Sequence, residues 1–268
     1  MGNLWKKLIR KVFKSSSYRV NNFSKIFSFK VKTIDEIQTS NRNTIYKYFL
    51  DYFYFQSSKN IRLHRYYFKK NKRGFGEDAF HGMWDYLFST YKPKNILEIG
   101  VYRGQSISLF ELMSQNLNLK ADVWGITPLS NDGDSVSSYE SINYEEDIKN
   151  NYKHFNLGEP KIIKAFSTDD QALKFIKSKK WDLIYIDGSH DYVIVQKDIL
   201  NSLPYLKSGG ILVLDDSSLN TDFNLKIPYI PTFKGHPGPS KVFSELINEK
   251  AVKLLFGVGH NNVFVKKK

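Results

Sequence analysis

Two aspartates, Asp215 and Asp216, close the aliphatic run 211–214, and a third, Asp187, closes the run 184–186 three residues ahead of His190. If the two runs are neighbouring parallel strands that end together, the three carboxylates converge on one edge. Carboxylates brought that close repel unless a cation or a proton joins them. Hard oxygen donors with open positions suit Mg2+, Ca2+ or Mn2+ better than Zn2+. His190 titrates in the range that lets an imidazole take a proton from a hydroxyl. A second constellation lies upstream, where Glu98, Gly100 and Gly104 form an E-x-G-x-x-x-G pattern. Glycines four apart let the backbone turn sharply and approach a ligand, and Glu98 offers a carboxylate to a cationic or amino-bearing group. The spacing matches neither of the common phosphate-cradling patterns.

These residues need a scaffold that delivers strand ends to one edge. From residue 78 the chain alternates helix and strand: a helix at 78–91, a strand at 95–99, a helix from Gln105 and a strand at 122–126. A polar loop at 128–139 leads to a helix at 142–154, a strand at 161–165, a helix at 169–178 and a strand at 181–186, followed by a helix at 192–205 and a strand at 210–214. Such alternation predicts a mostly parallel sheet with helices on both faces. The ending differs. Two strand-like runs, 252–256 and 263–267, flank Gly257, Gly259, Asn261 and Asn262, which predicts an antiparallel C-terminal hairpin and a seven-stranded sheet. In an open sheet of this kind, ligands bind outside the carboxyl ends of the strands, where strand order reverses.

The stretch Leu97 to Ser106, with Glu98, Gly100, Tyr102, Gly104, Gln105 and Ser106, resembles the first motif of class I S-adenosylmethionine-dependent methyltransferases. The version is that of the catechol-type O-methyltransferases, and the resemblance covers roughly residues 78–267. It implies a Rossmann-like fold and a cofactor turn at these residues, with Asp187 beside it and Ser167 and Asp169 of the third-strand loop near the adenine. Ser167 and Asp169 also read as an ordinary helix N-cap. The family usually ends its second strand with an acid that grips the ribose. Here Thr127 stands in that place, and a hydroxyl makes fewer hydrogen bonds than a carboxylate. Asp132 and Asp134 in the next loop are possible substitutes.

The Asp187–His190 segment together with the Asp215-Asp216 pair is similar to the metal-dependent sugar O-methyltransferases of the macrocin type. That likeness implies Asp187, Asp215 and Asp216 as ligands of a divalent cation, Mg2+ in the first instance, and His190 as the base. The expected activity is methyl transfer from S-adenosylmethionine to a hydroxyl of a sugar, glycan or other small polyhydroxylated acceptor. Tyr139, Tyr144 and His236 belong to segments expected to shape the acceptor pocket. His64, His81, His154 and His260 receive no role.

The bulk composition bounds the rest. The 268 residues contain no cysteine, which removes disulfides, thiolate metal sites and cysteine nucleophiles. A hydrophobic content of 41% with 15% aromatic residues suffices for a packed core. The net charge of +13 sits in the tails: residues 1–32 carry nine basic residues and no acid, and three lysines end the chain, so the rest carries only +1. Nucleic acid is therefore not the expected partner of the main domain, although Arg62, Arg65 and two lysines interleave with Tyr66, Tyr67 and Phe68. That stretch reads either as a single-strand binding patch or as a helix with an aromatic core face. Residues 1–14 have the spacing of a basic amphipathic helix, suited to an anionic membrane, an acidic partner or the protein's own surface. The expected organisation is a basic segment at 1–32, a helical extension at 33–77 and a methyltransferase domain at 78–268. The location is read as cytoplasmic, peripheral at a membrane if the first segment binds lipid, with an oligomer left open. Two competing functions are a nucleic-acid methyltransferase and a non-catalytic, membrane-associated module of the same fold.

Overall fold

The computed structural model describes residues 29–130, 132, 141–225 and 232–268. The amphipathic pattern of residues 1–14, and Asp134 and Tyr139 of the polar loop, lie outside the described residues. Among the described residues, four helices lead into the sheet: α1 (Ile34–Gln38), α2 (Arg42–Phe55), α3 (Lys59–Lys70) and α4 (Asp78–Tyr91). Their starts follow from local chemistry. Thr33 and Glu36 form a reciprocal capping box on α1, while the Asn41 and Ser58 side chains accept the Thr44 and Ile61 amides at 2.9 and 3.4 Å.

Strands and helices then alternate: β1 (Asn95–Ile99), α5 (Gln105–Asn116), β2 (Asp122–Thr127), α6 (Tyr144–His154), β3 (Ile162–Lys164), α7 (Asp170–Lys177), β4 (Trp181–Ile186), α8 (Tyr192–Ser202) and β5 (Leu206–Leu214). A helix α9 (Pro237–Leu246) and the hairpin β6 (Val252–Val258) and β7 (Asn261–Lys266) complete the chain. The sheet order is β3-β2-β1-β4-β5-β7-β6, with β7 antiparallel to both neighbours and the rest parallel. This is the mixed, Rossmann-like seven-stranded sheet expected from the pattern. Strand order reverses between β1 and β4, which puts the glycine turn after β1 and Asp187 after β4 on either side of the switch point.

Boundaries differ from the sequence reading where tertiary contacts decide. Pro204 cannot continue α8, so the chain leaves it through a single 3₁₀ turn, Leu203–Tyr205. Strand β5 starts four residues earlier than expected and passes a register shift opposite Trp181 and Leu183. Helix α9 was absent from the sequence reading because its opening Pro237-Gly238-Pro239 looks like a loop. Proline is nevertheless well suited to the first helical position.

Alternate residues of the central strands feed two cores. Ile96, Leu183, Tyr185, Ile211 and Val213 face the layer containing Phe49, Trp84, Phe88 and Phe110 from α2, α4 and α5. Leu97, Ile99, Ile184, Ile186, Leu212 and Leu214 face Ile176, Val195, Ile199, Val242 and Phe243 of α7, α8 and α9. The extension at 33–77 therefore shares the first core with the sheet. Gly82 makes this possible, since a Cβ there would lie 2.2 Å from the Phe49 carbonyl oxygen on α2. The basic-aromatic stretch of α3 packs inward: Ile61, His64 and Phe68 are buried, and His64 bonds to His81 at 3.2 Å and Ser108 at 3.0 Å. Burial holds both imidazoles well below their ordinary range, so they are neutral structural ties. Among the described residues, no helix is long and apolar enough to cross a membrane.

Candidate active site at the carboxyl edge of the sheet

Strand β1 delivers Glu98 fully buried, and the chain then turns through Gly100 at φ 91° and Gly104 at φ 79° into α5. Both angles lie where glycine is favoured. Gly100 faces a second constraint, because a Cβ there would lie 2.1 Å from the Asp187 carbonyl oxygen. The turn is pinned between neighbouring strand ends by Gly100 N–H donating to Ile126 O and Asp187 N–H donating to Ile99 O, at 3.0 and 2.8 Å. Ser106 Oγ donates to Glu98 Oε1 at 2.5 Å, whereas Glu98 Oε2 is buried with no hydrogen-bond partner among the described residues. Burial, reinforced by the charge of Asp215, pushes the Glu98 carboxyl up to about 8 despite the Ser106 bond.

The extension closes over this turn. Backbone of Gly74 and Gly76 rests on the Gln105 side chain, so a Cβ at either glycine would fall about 2 Å from its amide. Arg73 and Arg103 both pair with Asp147 of α6, at 3.1 and 2.7 Å. Tyr102, at φ 45°, lies between the rings of Phe75 and Tyr144, with centroids 5.6 and 5.8 Å away. Phe75 itself is 82% exposed.

The remaining cofactor candidates are spread along the same edge. Thr127 ends β2 nearly buried, and its Oγ1 accepts the Leu129 amide at 3.4 Å. Asp132 is exposed, and its amide donates to Ser130 Oγ at 3.3 Å. Asp169 accepts the Phe166 amide at 2.9 Å and precedes α7. Ser167 lies against Asp198 of α8, whose carboxyl burial lifts to about 7.

The acids of β4 and β5 meet as their strand register requires, Ile186 being opposite Leu214. Their oxygens, however, are divided. The Tyr185 phenol donates to Asp215 Oδ2 at 2.7 Å, and its oxygen also lies 3.0 Å from Asp187 Oδ2. His260 Nδ1 lies 2.7 Å from Asp215 Oδ1 and 2.9 Å from Asp216 Oδ1. Asp216, at φ 49°, turns its other oxygen, Oδ2, to His190 Nε2 at 2.8 Å, with His236 Nε2 3.9 Å away. Burial and the charges of Asp215 and Asp216 raise the Asp187 carboxyl well above the carboxylate range. Burial would likewise raise Asp216, but bonds from His190 and His260 hold it below the usual range. His260 is lifted to about 10, since the Asp215 charge and the two hydrogen bonds outweigh a burial that would lower it.

Histidines thus face the carboxylates along this edge. Among the described residues, the donor sets whose atoms all lie within 4.8 Å of one another are His190–Asp216–His236 and Asp215–Asp216–His260. The expected trio of Asp187, Asp215 and Asp216 is not such a set, because Tyr185 holds one pair and His260 the other. In this arrangement their oxygens face Tyr185, His190 and His260.

His260 was missed from the sequence, although a signal existed. Strand β7 runs antiparallel beside β5, so the hairpin tip Gly259-His260 must return to the edge where β5 ends. Arg42 was missed as well. Its guanidinium donates to Ser218 Oγ at 2.8 Å, Gly259 O at 3.0 Å and Asn262 Oδ1 at 2.5 Å, tying α2 to that tip.

Residues 97–217 match a family model described as a methyltransferase domain. An uncharacterized protein of Acanthamoeba polyphaga mimivirus is 30% identical over 156 residues, 56% of this chain. The chain spans 64% of the length of that curated relative. A candidate caffeoyl-CoA O-methyltransferase from Staphylococcus aureus superposes with a TM-score of 0.59 at 19% identity, over 83% of this chain and 98% of that one. An O-methyltransferase from Bacillus cereus, in complex with S-adenosylhomocysteine, superposes with a TM-score of 0.54 at 16% identity, over 87% of this chain and 100% of that one. At these identities the likeness to the solved structures is one of fold.

Proposed function

We propose that the protein is an S-adenosylmethionine-dependent O-methyltransferase acting on a hydroxyl of a sugar, glycan or other small polyhydroxylated acceptor, a reading supported by the match of residues 97–217 to a family model described as a methyltransferase domain. The observation that carries the reading is the pairing of a glycine turn over a buried, half-satisfied glutamate with an ionisable cluster one strand away at the switch point. The residues present suit the cofactor. Glu98 Oε2 is a buried polar atom with no partner among the described residues, and Gly100 and Gly104 turn the chain beside it at positive φ. Tyr102, Gln105 and Ser106 would line the same turn, with Thr127 at the ribose and Ser167 and Asp169 toward the adenine. When bound, S-adenosylmethionine supplies an electrophilic methyl group on a sulfonium.

The chain's own residues must then bring the acceptor oxygen into line and dispose of its proton. The acceptor oxygen gains the methyl carbon as the carbon–sulfur bond breaks, and the hydroxyl proton leaves at the His190–Asp216 pair. Asp216 fixes the imidazole ring at 2.8 Å, so the pair is oriented before the acceptor arrives. Calorimetry with S-adenosylhomocysteine tests the cofactor half: saturable binding by the full chain is expected, and its absence refutes the reading. His190→Ala is expected to abolish methyl transfer to a polyhydroxylated acceptor while leaving S-adenosylhomocysteine affinity within about two-fold, as for a group that acts only in the chemical step.

A further inference from the structure

The three imidazoles near Asp216 do unequal work. His260 is buried and takes Oδ1 of Asp216 together with Asp215, whereas His190 and His236 both face Oδ2. The two facing rings have centroids 4.3 Å apart. Their side chains and that of Asp216 are 16, 26 and 14% exposed, which leaves the cluster open to a small solute but backed by protein.

His236 reaches this position because its loop is clamped onto both partners. His236 N–H donates to Asp216 O at 2.8 Å, Ser218 N–H donates to Lys234 O at 2.9 Å, and Ser217 bridges Gly235. A Cβ at Gly235, whose φ is 97°, would lie 2.0 Å from the Asp216 carbonyl oxygen, and one at Gly238 would lie 2.1 Å from the His190 carbonyl oxygen. Glycines therefore flank His236 where the loop must touch the backbones bearing the other two residues. Asp216 adopts a left-handed backbone conformation, and strain of this kind persists only where surrounding structure holds it. Here it aims Oδ2 between the two histidines.

We infer that His190, Asp216 and His236 form a three-ligand site for a divalent transition-metal ion. Two imidazole nitrogens and one carboxylate oxygen select ions of borderline softness, such as Zn2+, Fe2+ or Co2+, over Mg2+. Three protein ligands leave further positions open, as in sites where an ion meets substrate. His260 holds the second oxygen of Asp216 and so orients the carboxylate from behind. Binding of the ion rests only on these residues, whereas its use rests on the proposed methyl transfer. With the ion bound, His190 would be a ligand in place of the base described above, the ion would lower the pKa of the acceptor hydroxyl, and its proton would leave to water.

The test uses the full chain, stripped with a chelator and titrated with Co2+ under visible absorption. One equivalent is expected to give saturable ligand-field bands that Zn2+ displaces. His236→Gln is expected to weaken Co2+ binding by at least about 10-fold, while Asp187→Asn retains it. X-ray absorption of the Co2+-loaded wild type is expected to count two imidazoles, a readout independent of how well the variants fold. Absence of Co2+ binding, a spectrum without imidazole ligands, or loss in Asp187→Asn with retention in His236→Gln would each overturn the assignment. S-adenosylhomocysteine calorimetry on the stripped protein reports the methyltransferase reading separately, so either can fail alone.

Discussion

Replacing Glu98 by glutamine keeps the shape of the side chain and removes a carboxyl that the fold forces to hold a proton. The group is fully buried on β1, bonded only through Oε1 to Ser106, and its pKa stands at about 8 against an ordinary 4.5. Between those values the unfolded chain has released a proton that the folded protein still binds, so stability falls as pH rises and levels off above about 8. At about 1.4 kcal/mol per pH unit, this window sets a ceiling of about 5 kcal/mol, and local relaxation or water entry reduces it. Glutamine has no such proton to lose. Urea denaturation near pH 5, where the two proteins are expected to be about equally stable, should therefore diverge by about 2–5 kcal/mol in favour of Glu98→Gln near pH 9. Parallel pH profiles would refute the assignment of a buried neutral carboxyl, as would a variant that is weaker by the same amount throughout.

His260→Gln leaves Asp215 and Asp216 facing each other without their cation, and breaking a buried pair in this way is expected to cost about 3–5 kcal/mol in urea denaturation near pH 7. The His260 contribution is complete below about 6.5 and is lost as pH climbs toward its folded value of about 10, so the variant and the wild type should converge in stability near that upper limit. Gly100→Ala drives a Cβ into the Asp187 carbonyl at a positive φ, and is expected to cost about 2–5 kcal/mol in thermal or urea unfolding together with S-adenosylhomocysteine affinity. Gly82→Ala forces α4 away from α2 at the Phe49 carbonyl, and should lower stability by about 1–3 kcal/mol while leaving that affinity nearly unchanged.

The sequence by itself determined the layering and the location of the edge. Helix and strand periods differ in which positions they bury, so β1 and β4 were legible to the residue, and the loop-rich hairpin announced the antiparallel end. Gly100 and Gly104 were legible because a turn at positive φ favours glycine, and Glu98 because a carboxylate ending an apolar run stands out beside them. Asp187, Asp215 and Asp216 were legible because polar residues ending apolar runs must sit at a strand terminus. Only the tertiary structure decided how those acids are neutralised. The partners of Asp216 come from three distant segments: His190 after β4, His236 before α9 and His260 at the hairpin tip. Local pattern carries no information on such meetings, since they depend on strand order, on glycine contacts across the chain and on the left-handed turn at Asp216. The extension at 33–77 shows the same division. Its helical character could be read from a weak periodicity without proline, but its place in the first core and over the turn after β1 follows from Gly82, Arg73 and Gln105 meeting partners far away in sequence.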